Sequence, residues 1–97
     1  MMIDLTAIYR EDATEDETTA AYQHMIDNGS VWAMDGSTGR FAMDLLKGGY
    51  CTLPEVRHKD FWGNTIPSRH DVKPGSFGTP AFVKRMQRQR RKERHAN

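Results

Sequence analysis

The chain has 97 residues, of which 37% are hydrophobic and 28% are charged, and its formal net charge is +1. This length fits one domain, because hydrophobic cores rarely divide below about 100–150 residues. No stretch approaches the ~18–20 apolar residues that cross a membrane, the first residues lack the apolar run of a signal peptide, and the single cysteine excludes an intramolecular disulfide. We therefore expect a soluble cytoplasmic protein without a membrane partner.

The small net charge conceals two opposite poles. Residues 1–35 hold eight acidic side chains and one basic one, whereas residues 84–97 hold seven basic side chains and one acidic one. Without these ends roughly 60 residues remain for a core. A core of this size stabilises the folded state by only about 3–5 kcal/mol. We predict a small folded domain over 1–83 with an acidic N-terminal part, followed by a basic helix or tail over 84–97. A second copy or another partner is a candidate to complete so thin a core.

The first element predicted in detail is a helix over about 15–28. Before it, alternating apolar residues over 3–9 favour a short strand or an extended segment. Thr14 and Glu17 form the capping-box pattern that starts a helix, and Gly29 is a natural stop.

A second helix is predicted to start with Ser37 as its cap and to end at Gly48. Its apolar residues share one face, as those of the first helix do. The short link between the two helices favours a helical hairpin. The expected hairpin core consists of Tyr22, Met25, Ile26, Trp32, Phe41, Leu45 and Leu46.

From 50 to 79 the chain has few helical signals, because proline and glycine recur every few residues. Several large apolar side chains in this stretch are unlike a disordered linker. We predict an irregular Pro/Gly-rich strap that wraps the hairpin, with a short strand at 50–53. Trp62 is interpreted first as a residue that closes the core, and alternatively as a contact that stacks on a base or fills a partner's pocket.

The C-terminal segment predicts a basic helix with a sharp start. Thr79 can cap it, and Pro80 suits the first helical position. After Met86 no apolar residue appears until Ala96, so the rest of the helix is expected to project without burial. Such a helix suits the phosphates of DNA or RNA, or an acidic protein surface. The predicted nucleic-acid contacts are Arg85, Arg88, Arg90, Arg91, Lys92 and Arg94, with Trp62 as an auxiliary contact.

Two other interpretations of the basic segment remain open at this point. It is a solvated tail that aids solubility, or it folds back on the acidic N-terminal part of its own or a neighbouring chain. For catalysis or metal binding the pattern is poor: His24, Cys51, His58 and His70 lack the paired spacing of structural zinc sites. Phosphate-loop, dinucleotide and nucleophile-elbow motifs are also missing from the sequence. We therefore predict a protein that is not an enzyme and uses neither cofactor nor metal.

The middle of the chain carries a series of short distinctive sequences. They are YQHMIDNG at 22–29, Trp32, GSTGR at 36–40 with Ala42 and Met43, CTLPE at 51–55, WGN at 62–64 and IPSRHDVKPG at 66–75. Over about 22–82 they resemble a group of short uncharacterised proteins encoded by phages of mycobacteria and other actinobacteria. The resemblance implies a phage-encoded protein in the bacterial cytoplasm, and it favours host-directed or genome-directed binding over metabolism. It assigns no functional residues.

The leading hypothesis is thus a mainly α, phage-type binding module whose projecting basic C-terminal helix contacts nucleic-acid phosphates. The alternative is a protein–protein effector that binds a bacterial host factor, or a minor structural or assembly component of the phage particle. In that alternative the acidic residues Glu15, Asp16 and Glu17 imitate nucleic acid, or the basic helix docks on an acidic patch.

Overall fold

Three α-helices, two short 3-10 helices (Leu5–Ile8 and Ser30–Ala33) and one short β-hairpin make up the regular structure of residues 5–60 and 62–95, which the computed structural model describes except for the side chains of 94 and 95. The helices are α1 (Glu15–Asn28), α2 (Gly36–Lys47) and α3 (Pro80–His95), and the antiparallel strands are β1 (His58–Lys59) and β2 (Thr65–Ile66). The expected small, mainly α domain is confirmed. Within the described ranges, none of the helices is both long and apolar enough to cross a bilayer.

Helix α1 has the predicted bounds, because its end signals are local. The Thr14 hydroxyl accepts a hydrogen bond from the Glu17 amide, and the Glu17 carboxylate accepts one from the Thr14 amide, both at 3.1 Å. Arg10 lies 2.8 Å from the same carboxylate and extends the cap. Gly29 closes the helix in the left-handed conformation, with φ of 82°.

Helix α2 is capped by Asp35 rather than by Ser37, so the predicted cap is wrong by two residues. One Asp35 carboxylate oxygen accepts from the Thr38 amide at 2.9 Å and from the hydroxyls of Ser37 and Thr38 at 2.7 and 2.9 Å. These hydrogen bonds, that of the Ser37 hydroxyl first, hold the pKa of Asp35 at about 2. A carboxylate outcompetes a hydroxyl here because a charged acceptor makes the stronger hydrogen bond to the amide.

The core lies between α1 and α2 and extends into the strap. Its buried members are Tyr22, Met25, Ile26, Val31, Ala42, Leu46, Cys51 and Leu53. Phe41, expected in the core, is instead 43% exposed, and its ring leans on that of Tyr22 at 4.9 Å between centroids. The expected core ended at Leu46. The stretch after α2 adds two more buried residues to it, Cys51 and Leu53.

The short strands predicted at 3–9 and 50–53 are both absent from the described residues. Leu5–Ile8 forms a 3-10 turn, and Leu53 makes a single backbone bond to Gly78 at 2.9 Å. The two strands that do form pair His58 with Ile66, and each is only two residues long. A strand of two residues is too short to show an alternating sequence pattern.

Long-range hydrogen bonds hold the irregular strap in place. Gln23 of α1 donates to the Thr52 carbonyl at 2.9 Å and accepts from the Thr52 amide at 2.8 Å. Arg69 donates through Nε to the Leu53 carbonyl at 2.8 Å, and its amide donates to the Pro54 carbonyl at 2.8 Å. The strap therefore forms an ordered base on which α3 can pack.

Candidate nucleic-acid interface

Helix α3 begins where the sequence predicts. The Thr79 hydroxyl accepts from the Phe82 amide at 3.2 Å and donates to the Ser76 carbonyl at 2.8 Å. Pro80 occupies the first helical position, where its missing N–H leaves no bond unmade. This cap fixes the start of the helix on the strap.

One face of α3 packs on the domain through Phe82, Val83, Met86 and Arg90, which are all half-buried. The Met86 side chain packs so closely on Gly49 that an added Cβ would lie 2.5 Å from the Met86 Cγ atom. Gly49 also has φ of 77°, a conformation that other residues rarely adopt. Glycine at this position is therefore what allows α3 to lie against the end of α2.

Arg90 fixes the middle of α3 to the C-terminal end of α2. Its guanidinium donates to the carbonyls of Gly48 and Gly49 at 3.0 and 3.4 Å, and it lies 4.1 Å from the ring centroid of Tyr50. Carbonyls at a helix C-terminus carry partial negative charge, which favours a cation there. The expectation that nothing beyond Met86 is covered is thus wrong at Arg90, whose guanidinium faces the domain.

The opposite face of α3 is basic and exposed. At 100° per residue, Lys84, Arg88, Arg91 and Lys92 point away from the packed face, and we call these four residues the outer face. Arg85 lies at its edge, where it donates to the Gly75 carbonyl at 3.1 Å and stands 5.2 Å from the Phe82 ring centroid. Arg94 lies on the described backbone of α3, but its side chain falls outside the described part.

The outer face is not neutralised by acids of its own chain. Among side chains 5–60 and 62–93, the salt bridges join Arg10, Arg57, Arg69 and His70 to acids, and none involves a residue of α3. Glu93, the acid of α3, lies on the packed side of the helix by the same 100° rotation. Over the described residues, the interpretation in which the tail folds back on its own acidic end therefore has no ion pair to support it.

Trp62 lies at the tip of the β-hairpin and is 75% exposed, so the interpretation that it closes the core is wrong. The Asp60 carboxylate orders the tip, since it accepts from the amides of Trp62 and Asn64 at 2.9 and 2.8 Å. His58 donates to the Asp27 carbonyl at 2.9 Å and ties the hairpin to the C-terminal end of α1.

The hairpin and the middle of α3 lie at opposite ends of α1. Gln87 and Arg90 share a cleft with Glu15 and Asp16, in the first turn of α1. About 17 Å of helix separates this turn from Asp27, where the hairpin is tied, at ~1.5 Å per residue. The structure therefore does not bring Trp62 together with this part of α3.

The groups considered for catalysis and metal binding do not assemble into a site. Burial raises the pKa of the Cys51 thiol to about 12, so it is protonated at neutral pH and a poor nucleophile. His70 bonds Glu55 at 2.8 Å and His58 bonds the Asp27 carbonyl at 2.9 Å, while the Cys51 thiol donates to the Thr19 carbonyl at 3.7 Å. Over the described ranges, no three His, Cys, Asp or Glu side chains come together as metal ligands.

The contacts that hold α3 against the domain were not predicted from the sequence. They are made by the carbonyls of Gly48 and Gly49 and the ring of Tyr50, and we call these three groups the seat of α3. One signal was available: Phe82, Met86 and Arg90 are spaced four residues apart, so Arg90 continues the apolar stripe of the helix.

The comparisons with known proteins add no family, since no protein-family model, curated protein or solved structure matches this chain.

Proposed function

We propose that this protein is a non-enzymatic nucleic-acid-binding module that contacts phosphates through the outer face of α3. The observation that supports this most directly is the division of the helix. Phe82, Val83, Met86 and Arg90 fix one face to the domain, so the basic residues of the opposite face are presented together to solvent. A row of cations that no described acid of the chain neutralises suits a row of phosphates.

The dimensions and the chemistry of the outer face fit the backbone of a nucleic acid. From Lys84 to Lys92 the helix rises about 12 Å, at ~1.5 Å per residue, and duplex DNA carries one charge per ~1.7 Å of its axis. The outer face consists of two lysines and two arginines. Lysine and arginine on phosphates fix affinity and orientation but carry no sequence information, so we propose binding with little sequence preference.

The test is fluorescence anisotropy with labelled duplex DNA and structured RNA over a range of salt concentrations. Four phosphate contacts release enough counterions to weaken binding about 150-fold between ~50 and ~200 mM salt, because the slope is about −0.9 per contact on duplex DNA. Replacing all four outer-face residues by Gln should abolish binding at low salt.

The matched control for this test removes four positive charges from other exposed positions. Its substitutions are Arg40→Gln, Lys47→Gln, Lys59→Gln and Lys73→Gln. This variant has the same net charge as the outer-face variant and should retain most of the affinity. Equal losses in the two variants would show that net charge alone governs binding, and the proposal would then be wrong.

A protein–protein effector is the second candidate, and the exposure of Trp62 favours it. Tryptophan is enriched among the side chains that dominate protein interfaces, and here it stands on a turn ordered by Asp60. The resemblance to phage-encoded proteins makes a bacterial host factor the candidate partner. Capture from nuclease-treated host lysate that is lost with Trp62→Ala, but kept by the outer-face variant, would favour this function over nucleic-acid binding.

A further inference from the structure

A cleft of about 540 Å³ opens between the first turn of α1, one face of α2 and the middle of α3. Acidic and aromatic groups line it together. Glu15 and Asp16 stand at one side, and Phe41 and Tyr50, which are 43% and 46% exposed, form an apolar floor with Leu45. This surface thus combines large half-exposed rings with carboxylates.

The chemistry of this cleft suits guanidinium groups. Arginine pairs with carboxylates in a planar fork and stacks on aromatic rings, so both parts of the lining can bind it. Arg90 already uses one ring of the cleft in this way, at 4.1 Å from the Tyr50 centroid. Glu15 and Asp16 remain available, because neither is in a salt bridge among the described residues.

None of the four outer-face residues lines this cleft in its own chain. Gln87 and Arg90 form one of its walls, and the contacts of Met86 and Arg90 with the end of α2 fix the rotation of the helix. At 100° per residue, Arg88 lies on the far side of the helix from this wall, and Arg91 lies beside Gln87 at its edge. Among the described side chains, the row of arginines on the outer face is thus presented to another molecule rather than to this cleft.

We propose that the cleft binds the outer face of α3 from a second copy of this chain. Arg88 and Arg91 of one copy pair with Glu15 and Asp16 of the other, and a guanidinium stacks on Phe41. The net charge of +1 means that two copies hardly repel each other at long range, while their acidic and basic poles attract. If nucleic acid binds as proposed above, it competes with self-association for the same side chains, and this last consequence rests on that proposed function.

The test exchanges charges between the two surfaces. The cleft variant carries Glu15→Lys and Asp16→Lys, and the helix variant carries Arg88→Glu and Arg91→Glu. At about 50 mM salt, where surface charges are weakly screened, sedimentation equilibrium should show association of the wild-type chain and at least tenfold weaker association of each variant alone. An equimolar mixture should associate again, because each altered cleft meets an oppositely charged helix.

A charge control excludes general attraction between oppositely charged proteins. It carries Glu15→Gln, Asp16→Asn, Lys47→Glu, Lys59→Glu and Lys73→Glu, which give it the net charge of the helix variant. Mixed with the cleft variant, it should not associate, because its cleft is neutral and its outer face is still basic. Circular dichroism confirms that all variants are folded.

Each outcome of this test bears on the proposal. A wild-type chain that stays monomeric at low salt and high concentration would overturn it, as would a mixture that fails to associate or a charge control that associates equally well. The proposed function is judged separately, since the cleft variant keeps the whole outer face. If the cleft variant binds nucleic acid but the wild-type chain does not self-associate, the inference about the cleft is wrong and the proposed function is unaffected.

Discussion

On one face of α3, Arg90 is half-buried against the end of α2, whereas on the other face Arg88 and Arg91 lie in solvent. The three side chains are chemically identical and close in sequence. The difference lies in what each guanidinium meets, since Arg90 meets two carbonyls and a ring. A count of basic residues therefore overstates the charge available to a ligand, and the position of each residue around the helix decides its role.

The largest expected effect comes from reversing the charge of the outer face. Arg88→Glu with Arg91→Glu should weaken nucleic-acid binding at least 100-fold at low salt, because two attractive contacts become repulsive. The free energy of unfolding should change by no more than about 0.5 kcal/mol, since both side chains are exposed. Anisotropy and urea titration measure the two quantities, and an unfolded variant would contradict the assignment of this face to solvent.

Two identical substitutions one residue apart distinguish the two faces of α3. Arg90→Gln should lower the free energy of unfolding by about 1–3 kcal/mol, because the Gly48 and Gly49 carbonyls lose their charged donor and Tyr50 its stacked partner. Arg91→Gln should leave it within about 0.5 kcal/mol of the wild type. Equal stabilities of the two variants in urea would mean that Arg90 does not anchor the helix.

Acid should weaken the cap of α2 without weakening the seat of α3. The pKa of Asp35 is held at about 2, below its ordinary value of 3.8, so its contribution to stability is present above pH 3.8 and lost as the pH falls towards 2. Arginine stays charged throughout this window. Asp35→Asn should flatten the decline of Tm between about pH 4 and pH 2.

The comparison for that measurement is Asp44→Asn, which changes an exposed acid of the same helix. Asp44→Asn should match the wild type at neutral pH, whereas Asp35→Asn should be somewhat less stable there, because an amide oxygen is a weaker acceptor for the three hydrogen bonds than the carboxylate. If Tm falls as steeply with acid for Asp35→Asn as for Asp44→Asn, the ionised Asp35 carboxylate does not stabilise the start of α2.

The smallest expected effect is that of Trp62→Ala on nucleic-acid affinity. The hairpin and the middle of α3 lie at opposite ends of α1, so the loss of the indole should change the dissociation constant less than about twofold. Base stacking is worth about 1–3 kcal/mol, so a tenfold loss would show that Trp62 contacts the same ligand as the outer face.

The parts of the fold that follow local rules could be predicted from the sequence. Thr14 with Glu17, and Thr79 with Pro80, each specify a helix start within four residues, and both predictions are confirmed. The cap of α2 was misplaced because Asp35, Ser37 and Thr38 can all serve as caps, and only the geometry shows which oxygen accepts the amide hydrogen bond.

The seat of α3 could not be predicted in the same way. It depends on carbonyls more than forty residues away in the sequence, and no local pattern shows where the end of α2 will lie. The exposure of Trp62 also depends on a hairpin whose strands are two residues long. The basic helix was therefore predictable, whereas the division of its arginines between anchoring and binding was not.

If Arg90 positions the helix while Arg91 contacts phosphate, the two arginines must differ in their effect on the salt dependence of binding. The slope of log K against log salt should fall by about 0.9 in magnitude for Arg91→Gln on duplex DNA and should stay unchanged for Arg90→Gln. Equal reductions of the slope in both variants would show that the two faces of α3 are not distinct, and a wild-type slope near zero would show that the helix does not bind phosphate.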